Sequence, residues 1–225
     1  MAEAGHQGML SSTIGAMFAA TAGRFPEREA VAIPELGLRL SYRELRERVD
    51  RAARGFMALG IAKGEHVCLW SPNRAEWYET AYALWKLGAV VVSVNTLFRS
   101  AEFAQVLGGS DAATLVMACG FRDIDYIDAV TQLAPEVPQC AAGKIECRAF
   151  PRLKRIVLFD EAPRPGMLPF AQMLRRGSSV SDDELSRREQ TVKPEDPATM
   201  IFTSGTTGFP KGAMLRHCAV LSERP

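Results

Sequence analysis

The chain has 225 residues, room for one large domain or two small ones at about 150 residues per domain. Its 47% hydrophobic and 24% charged residues, with a mean hydropathy of -0.04, lie at the averages of globular proteins and away from disordered, collagenous and membrane compositions. Twenty-seven lysines and arginines stand against 26 aspartates and glutamates, so the net charge of +1 makes no global field toward nucleic acid or an anionic membrane, and a bound nucleotide needs a local site.

Ser11 or Ser12 is placed to cap a first helix that ends near Phe25, since Pro26 pushes the preceding residue out of the helical region. AVAI at 30–33 and LRLSY at 38–42, joined by PELG, read as a short hairpin. Ser41 and Glu44 form an S-x-x-E capping box. Tyr42, Leu45, Val49, Ala52, Phe56 and Leu59 follow at alternating steps of three and four, which predicts an amphipathic helix closed by Gly60.

From there short apolar runs alternate with helical patterns: HVCLW at 66–70, a helix over 73–87, AVVVSV at 89–94, a helix over 100–107, and ATLVM at 113–117. This spacing predicts βαβ units with right-handed crossovers, hence an α/β fold with a mostly parallel sheet buried on both faces. Trp70, Trp77 and Trp85 are assigned to packing between helix and sheet. A further helix over 123–133, an irregular loop over 135–151 and a strand at 155–159 follow. The stretch 177–197 is polar and charged, so it reads as a surface connection with one short helix. The chain thereby divides into 1–177, a linker at 178–197, and 198–225, which opens with the strand ATMIF at 198–202.

The five cysteines at 68, 119, 140, 147 and 218 include no CxxC pair, and no histidine lies at zinc-ligand spacing, so they read as reduced thiols of a cytoplasmic protein. His6, His66 and His217 are scattered and are assigned to packing or surface, with no metal site. The first 25 residues lack a basic segment followed by a long apolar core, and their single Arg24 is too little for a transit peptide. No later run reaches the ~18 apolar residues of a membrane span, so no transmembrane segment is expected.

The strand at 198–202 runs into Thr203-Ser204-Gly205-Thr206-Thr207-Gly208-Phe209-Pro210-Lys211-Gly212. Glycines let consecutive backbone N–H groups turn into one concavity, hydroxyls add donors, and the lysine adds a mobile positive charge, which together suit a polyphosphate. Serine, threonine, glycine and proline are also ordinary turn residues, so composition alone leaves a plain turn open. It is not a Walker A loop, because Lys211 follows Pro210 and precedes Gly212.

MIFTSGTTGFPKGAM resembles the signature phosphate loop of the adenylate-forming, AMP-dependent synthetases, the superfamily of acyl-CoA synthetases, nonribosomal adenylation domains and beetle luciferases. The resemblance extends upstream through LSYRELRERVDRAARGFMALGIAKGEHVCLWSPNRAEW and LWKLGAVVVSVNTLFRSAEF, and PGMLPFAQML with residues 95–99 is most like the fatty-acyl-CoA synthetases. It implies part of the large N-terminal domain of such an enzyme. It also implies a reaction in which a carboxylic acid, a fatty acid by the subfamily likeness, attacks ATP to give an acyl-adenylate, from which coenzyme A displaces AMP. The implied cofactors are ATP, Mg2+ and coenzyme A. By the same resemblance Thr203, Ser204, Gly205, Thr206, Thr207, Gly208 and Lys211 hold the β- and γ-phosphates, with Pro210 and Gly212 shaping the loop.

The family's adenine pocket, magnesium ligand, ribose-binding aspartate, most of its acyl pocket and its C-terminal lid lysine come later than this loop. Here KGAML is followed by RHCAVLSERP, where a family member would run from a strand into a long helix. The resemblance therefore implies an N-terminal fragment that holds no catalytic residue and makes no acyl-CoA alone. The alternatives are a non-catalytic remnant serving as an interaction module, and an unrelated phosphate-binding α/β protein, for which no GxGxxG or Walker A motif is present.

Overall fold

The computed structural model describes residues 11–160, 162–203 and 211–222. Thr13, in extended conformation, accepts the Ala16 amide on its hydroxyl and opens α1 (Ile14–Arg24), one or two residues later than the serines expected to cap it. β1 (Glu29–Ile33) and β2 (Leu38–Ser41) pair antiparallel around a turn that ends at Gly37, φ 61°. Ser41 and Glu44 form both halves of the capping box of α2 (Tyr42–Ala58), whose Leu45, Val49, Ala52 and Phe56 are buried as their spacing requires.

β3 (His66–Trp70), α3 (Ala75–Leu87), β4 (Val90–Ser93), α4 (Ser100–Gly109) and β5 (Thr114–Met117) are the βαβ units, with β3 parallel to both β4 and β5. A two-residue hairpin of β6 (Gly120–Phe121) and β7 (Ile124–Asp125) leads into α5 (Tyr126–Leu133), where the Asp125 carboxylate accepts the Asp128 amide and sets the start. β8 (Arg155–Leu158) lies parallel to β5, and β9 (Leu168–Pro169) to β8. α6 (Phe170–Arg176), α7 (Asp182–Gln190), β10 (Pro197–Thr203), β11 (Lys211–Arg216) and α8 (His217–Ser222) complete the described residues.

The sheet order is β11-β10-β4-β3-β5-β8-β9, parallel except for β11. From β3 the chain steps one way to β4 and then crosses back over β3 to β5. Right-handed crossovers in opposite directions place helices on both faces, and the central strands are accordingly buried except at His66 and Ser93, which are half-buried at strand ends. Trp70 lies between Phe103 of α4, centroid distance 4.0 Å, and Tyr126 of α5, 3.8 Å, both stacked.

Two stretches hold more than their local pattern shows. Between β8 and α7 lie an edge strand and a helix that carry no readable period in the sequence, since β9 is two residues long and α6 seven. The stretch 178–197 is more than a surface connection. Leu185 is buried, Arg188 donates to the carbonyls of Leu87 (2.9 Å) and Ile61 (3.2 Å), Glu189 pairs with Lys86 (3.0 Å), and Asp196 with Lys63 (2.7 Å). The charged residues that make it look solvated are the ones that fasten it to the body. β10 beyond it joins the same sheet, beside β4.

Candidate functional site

β10 is held at its start and along its side. Trp85 Nε1 donates to Ala198 O (3.0 Å) and Thr199 Oγ1 to Val91 O (2.8 Å). Phe202 lies against the end of α4, close enough that a Cβ added at Gly109 would stand 3.4 Å from its ring. Opposite Phe202, Gly212 leaves room for the neighbouring side chains; a Cβ there would stand 3.0 Å from Met200 Sδ and 3.2 Å from the Phe202 ring. This approach explains glycine after the lysine.

At the end of the pair Thr203 faces Lys211, both exposed. The position is the carboxyl end of a strand parallel to β4, the end at which open α/β sheets bind ligands. Lys211 makes no ion pair among the described residues. Of the loop residues taken from the sequence, Thr203 and Lys211 are thus brought together, while Ser204, Gly205, Thr206, Thr207, Gly208 and Pro210 lie outside the described residues.

The neighbouring strand ends are fixed by the aromatic stack. Trp70 Nε1 donates to Asn95 O (3.2 Å) and the Tyr126 hydroxyl to Thr96 O (2.8 Å), which ties the turn after β4 to the body. Beside it, where the order reverses at β3 and β5, a cavity of about 1010 Å3 opens. Its polar wall was not singled out from the sequence: Arg74 forks onto both Glu76 oxygens (2.9 and 2.8 Å), and Arg48 pairs with buried Glu79 (3.0 Å). Burial pushes the Glu79 carboxyl above its ordinary range against the pull of Arg48. The usable signal was topological, since Arg74, Glu76 and Glu79 follow the first parallel strand of a sheet that winds both ways, while Arg48 reaches them from α2.

Among the described residues Cys68 and Cys147 are buried free thiols, and His66 and His217 contact backbone groups. Burial raises Cys68 to about 12, and burial with Asp160 raises Cys119 to about 11, so both stay protonated at neutral pH. His66 contacts the Ser110 carbonyl (2.6 Å) and His217 Nδ1 accepts the Ile14 amide (3.3 Å); His6 lies outside the described residues.

The sequence profile of AMP-binding enzymes matches residues 18–224. The chain belongs to the AMP-binding enzyme family. Its relatives in that family are acyl-CoA synthetases and ligases. YngI of Bacillus subtilis (strain 168), which carries the name of an acyl-CoA synthetase, is 35% identical over 214 residues, 95% of this chain and 39% of YngI. The human mitochondrial medium-chain acyl-CoA ligase ACSF2 is 34% identical over 213 residues, 94% of this chain and 34% of the human protein. The crystal structure of the anthranilate CoA ligase AuaEII with anthranoyl-AMP superposes with a TM-score of 0.73 at 23% identity, covering 93% of this chain and 35% of that one, and so shows the shared fold. The chain spans between a third and two fifths of the length of these relatives, an N-terminal part of the AMP-binding enzyme. Among the described residues no helix is long and apolar enough to cross a membrane.

Proposed function

We propose that this chain supplies the nucleotide-phosphate grip of an acyl-CoA synthetase that activates a carboxylic acid, a fatty acid by subfamily likeness. The observation that carries the reading is the Thr203–Lys211 pair at the carboxyl end of β10, which sets the first and the last of the motif's polar side chains opposite each other. Lys211 neutralises charge on the β- and γ-phosphates, the hydroxyls of Thr203, Ser204, Thr206 and Thr207 donate to phosphate oxygens, and Gly205 and Gly208 let backbone N–H groups do the same. The acid oxygen attacks the α-phosphorus, the bond to the β-phosphate oxygen breaks, and pyrophosphate leaves. The coenzyme A thiolate then attacks the acyl carbonyl and AMP leaves. Both steps run on positioning and charge balance without a protein nucleophile.

The Lys211 ammonium, exposed and without an ion pair among the described residues, fits a polyphosphate. Among the described residues no group of three His, Cys, Asp or Glu side chains is placed for a metal ion, and we assign Mg2+, which would screen the phosphates of bound ATP, no ligand among them. We keep the compartment as cytoplasmic on the five free thiols.

The test is ATP–pyrophosphate exchange with saturated fatty acids, run on a chimera in which residues 18–222 replace the matching stretch of YngI. Exchange that Lys211→Ala depresses supports the reading. Exchange indifferent to Lys211→Ala discards the loop assignment, and a folded chimera without exchange favours the non-catalytic interaction module.

A further inference from the structure

The charge of this chain is unevenly placed. Residues 144–176 hold eight lysines and arginines against three acidic residues, although the whole chain is +1. Lys144, Arg148, Lys154, Arg164, Arg175 and Arg176 are all exposed, and among the described residues none is in an ion pair.

The fold gathers these six on one face. Lys144, Arg148 and Lys154 outnumber Glu136 and Glu146 around a cleft of about 810 Å3, and Arg164 and Arg175 line a second of about 800 Å3. The turn at 141–144 separates the two, with Ala142 lining one and Lys144 the other, and Arg176 reaches to 4.0 Å from where a Gly143 Cβ would stand. Two fixed turns hold the face in shape: bridges Ala141–Lys144 and Arg164–Met167, with Gly143 at φ 81° and Gly166 at φ 75°. Gly166 sits directly on the Val137 carbonyl, which clamps the second turn to the segment bearing the first. This face is at the β8–β9 edge, across the sheet from the β10–β11 hairpin, and Lys154 precedes the amino end of β8, so it does not serve the phosphates at the carboxyl end of β10.

We propose that this face docks the protein on an anionic phospholipid bilayer. Six long cations from separate segments meet phosphate headgroups without needing register, and each adds to adsorption at a charged bilayer surface. Among the described residues the exposed large apolar side chains, Leu36, Leu97, Ile201 and Met214, all lie elsewhere, so this face shows no apolar anchor of the kind around which a protein interface is built. It also offers no exposed aromatic ring for base stacking, and no helix or ribbon carries the cations into a duplex groove. The choice of lipid rests in addition on the acyl-substrate reading above, since fatty acids partition into bilayers.

The experiment is sedimentation of the 225-residue chain with vesicles of phosphatidylcholine alone or with 30% phosphatidylglycerol, at about 50 mM and about 500 mM salt, without ATP or acid, so that it reads this face independently of catalysis. Binding is expected only to the anionic vesicles at low salt. The triple variant Lys144→Glu, Arg175→Glu, Arg176→Glu should bind ~100-fold or more weakly. Arg46→Glu, Arg122→Glu, Arg187→Glu, which changes net charge equally at exposed sites elsewhere, should bind within a few-fold of wild type. Circular dichroism of each variant confirms folding, and Lys144→Gln, Arg175→Gln, Arg176→Gln serves if the reversal unfolds. Equal loss in both triple variants, equal binding to neutral vesicles, or capture by duplex DNA or polyglutamate with no vesicle binding would overturn the proposal.

Discussion

Thr203 and Lys211 face each other across the last pair of the β10–β11 register, so a hydroxyl and an ammonium flank the mouth of residues 204–210. If the loop grips the leaving pyrophosphate, Lys211→Ala and Thr206→Ala in the YngI chimera should slow adenylate formation by ~10 to 1,000-fold, the range for losing one charge-stabilising contact. Thioester formation from preformed acyl-adenylate should change much less, because pyrophosphate has already departed. Pyrophosphate release and thioester formation are measured separately; equal damage to both removes the assigned role.

Gly166 and Gly37 both have positive φ, 75° and 61°, yet they should tolerate alanine very differently. A Cβ at Gly166 would lie 1.9 Å from the Val137 carbonyl oxygen, whereas at Gly37 it meets nothing within 4 Å. Gly37→Ala carries only the left-handed strain, about 1 kcal/mol. Gly166→Ala adds a backbone collision and should lose about 3 kcal/mol or more in urea unfolding. Similar losses for the two would show that the 164–167 turn moves aside freely.

The parts of the fold that could be read from sequence are those whose signals are local. The Ser41–Glu44 box and the three-four spacing through Phe56 specify α2, and the buried run Val90-Val91-Val92 specifies a central strand. What could not be read is which distant backbone a side chain seeks. Arg188 looks like a solvated residue of a polar helix until Leu87 O and Ile61 O are known to face it, and Trp85 gives no hint of reaching Ala198 O. The motif at 203–212 is legible in the sequence, but the seat of β10 beside β4 depends on a pairing between residues more than a hundred positions apart, and the cavity of Arg74 and Arg48 depends on strand order.

Arg188 should therefore govern how 178–197 behaves. Its guanidinium bonds two carbonyls at once, a fork that a lysine ammonium does not reproduce. Removing it leaves both carbonyls short of a donor, at about 2 kcal/mol. In wild type, trypsin should find Arg187 and Lys193 slowly; in Arg188→Ala it should cut there much faster, and Arg188→Lys should not restore protection. Cleavage of this segment at an unchanged rate in Arg188→Ala would show that Leu185 and the Lys86–Glu189 and Lys63–Asp196 pairs fasten it without help.

His217 joins the two ends of the described chain and should make that junction sensitive to acid. The Ile14 amide donates to its Nδ1 at 3.3 Å, and among the described residues its buried Nε2 has no partner and Asp196 and Lys63 are the charged groups around it. Burial depresses the imidazole from 6.5 to about 4, outweighing the upward pull of Asp196. The neutral ring is thus the form that folding favours. Above pH 6.5 its contribution is complete; between 6.5 and 4 the unfolded chain binds the proton and the folded chain does not, so stability falls as pH falls, by of order 2 kcal/mol across the window. His217→Asn keeps an acceptor for the Ile14 amide and cannot titrate. Urea unfolding of both proteins at pH 7, 6, 5 and 4.5 should show wild type losing stability relative to the asparagine variant through that range. A difference that stays constant with pH would mean that the buried imidazole takes up its proton in the folded state as readily as in the unfolded one, and that water reaches it.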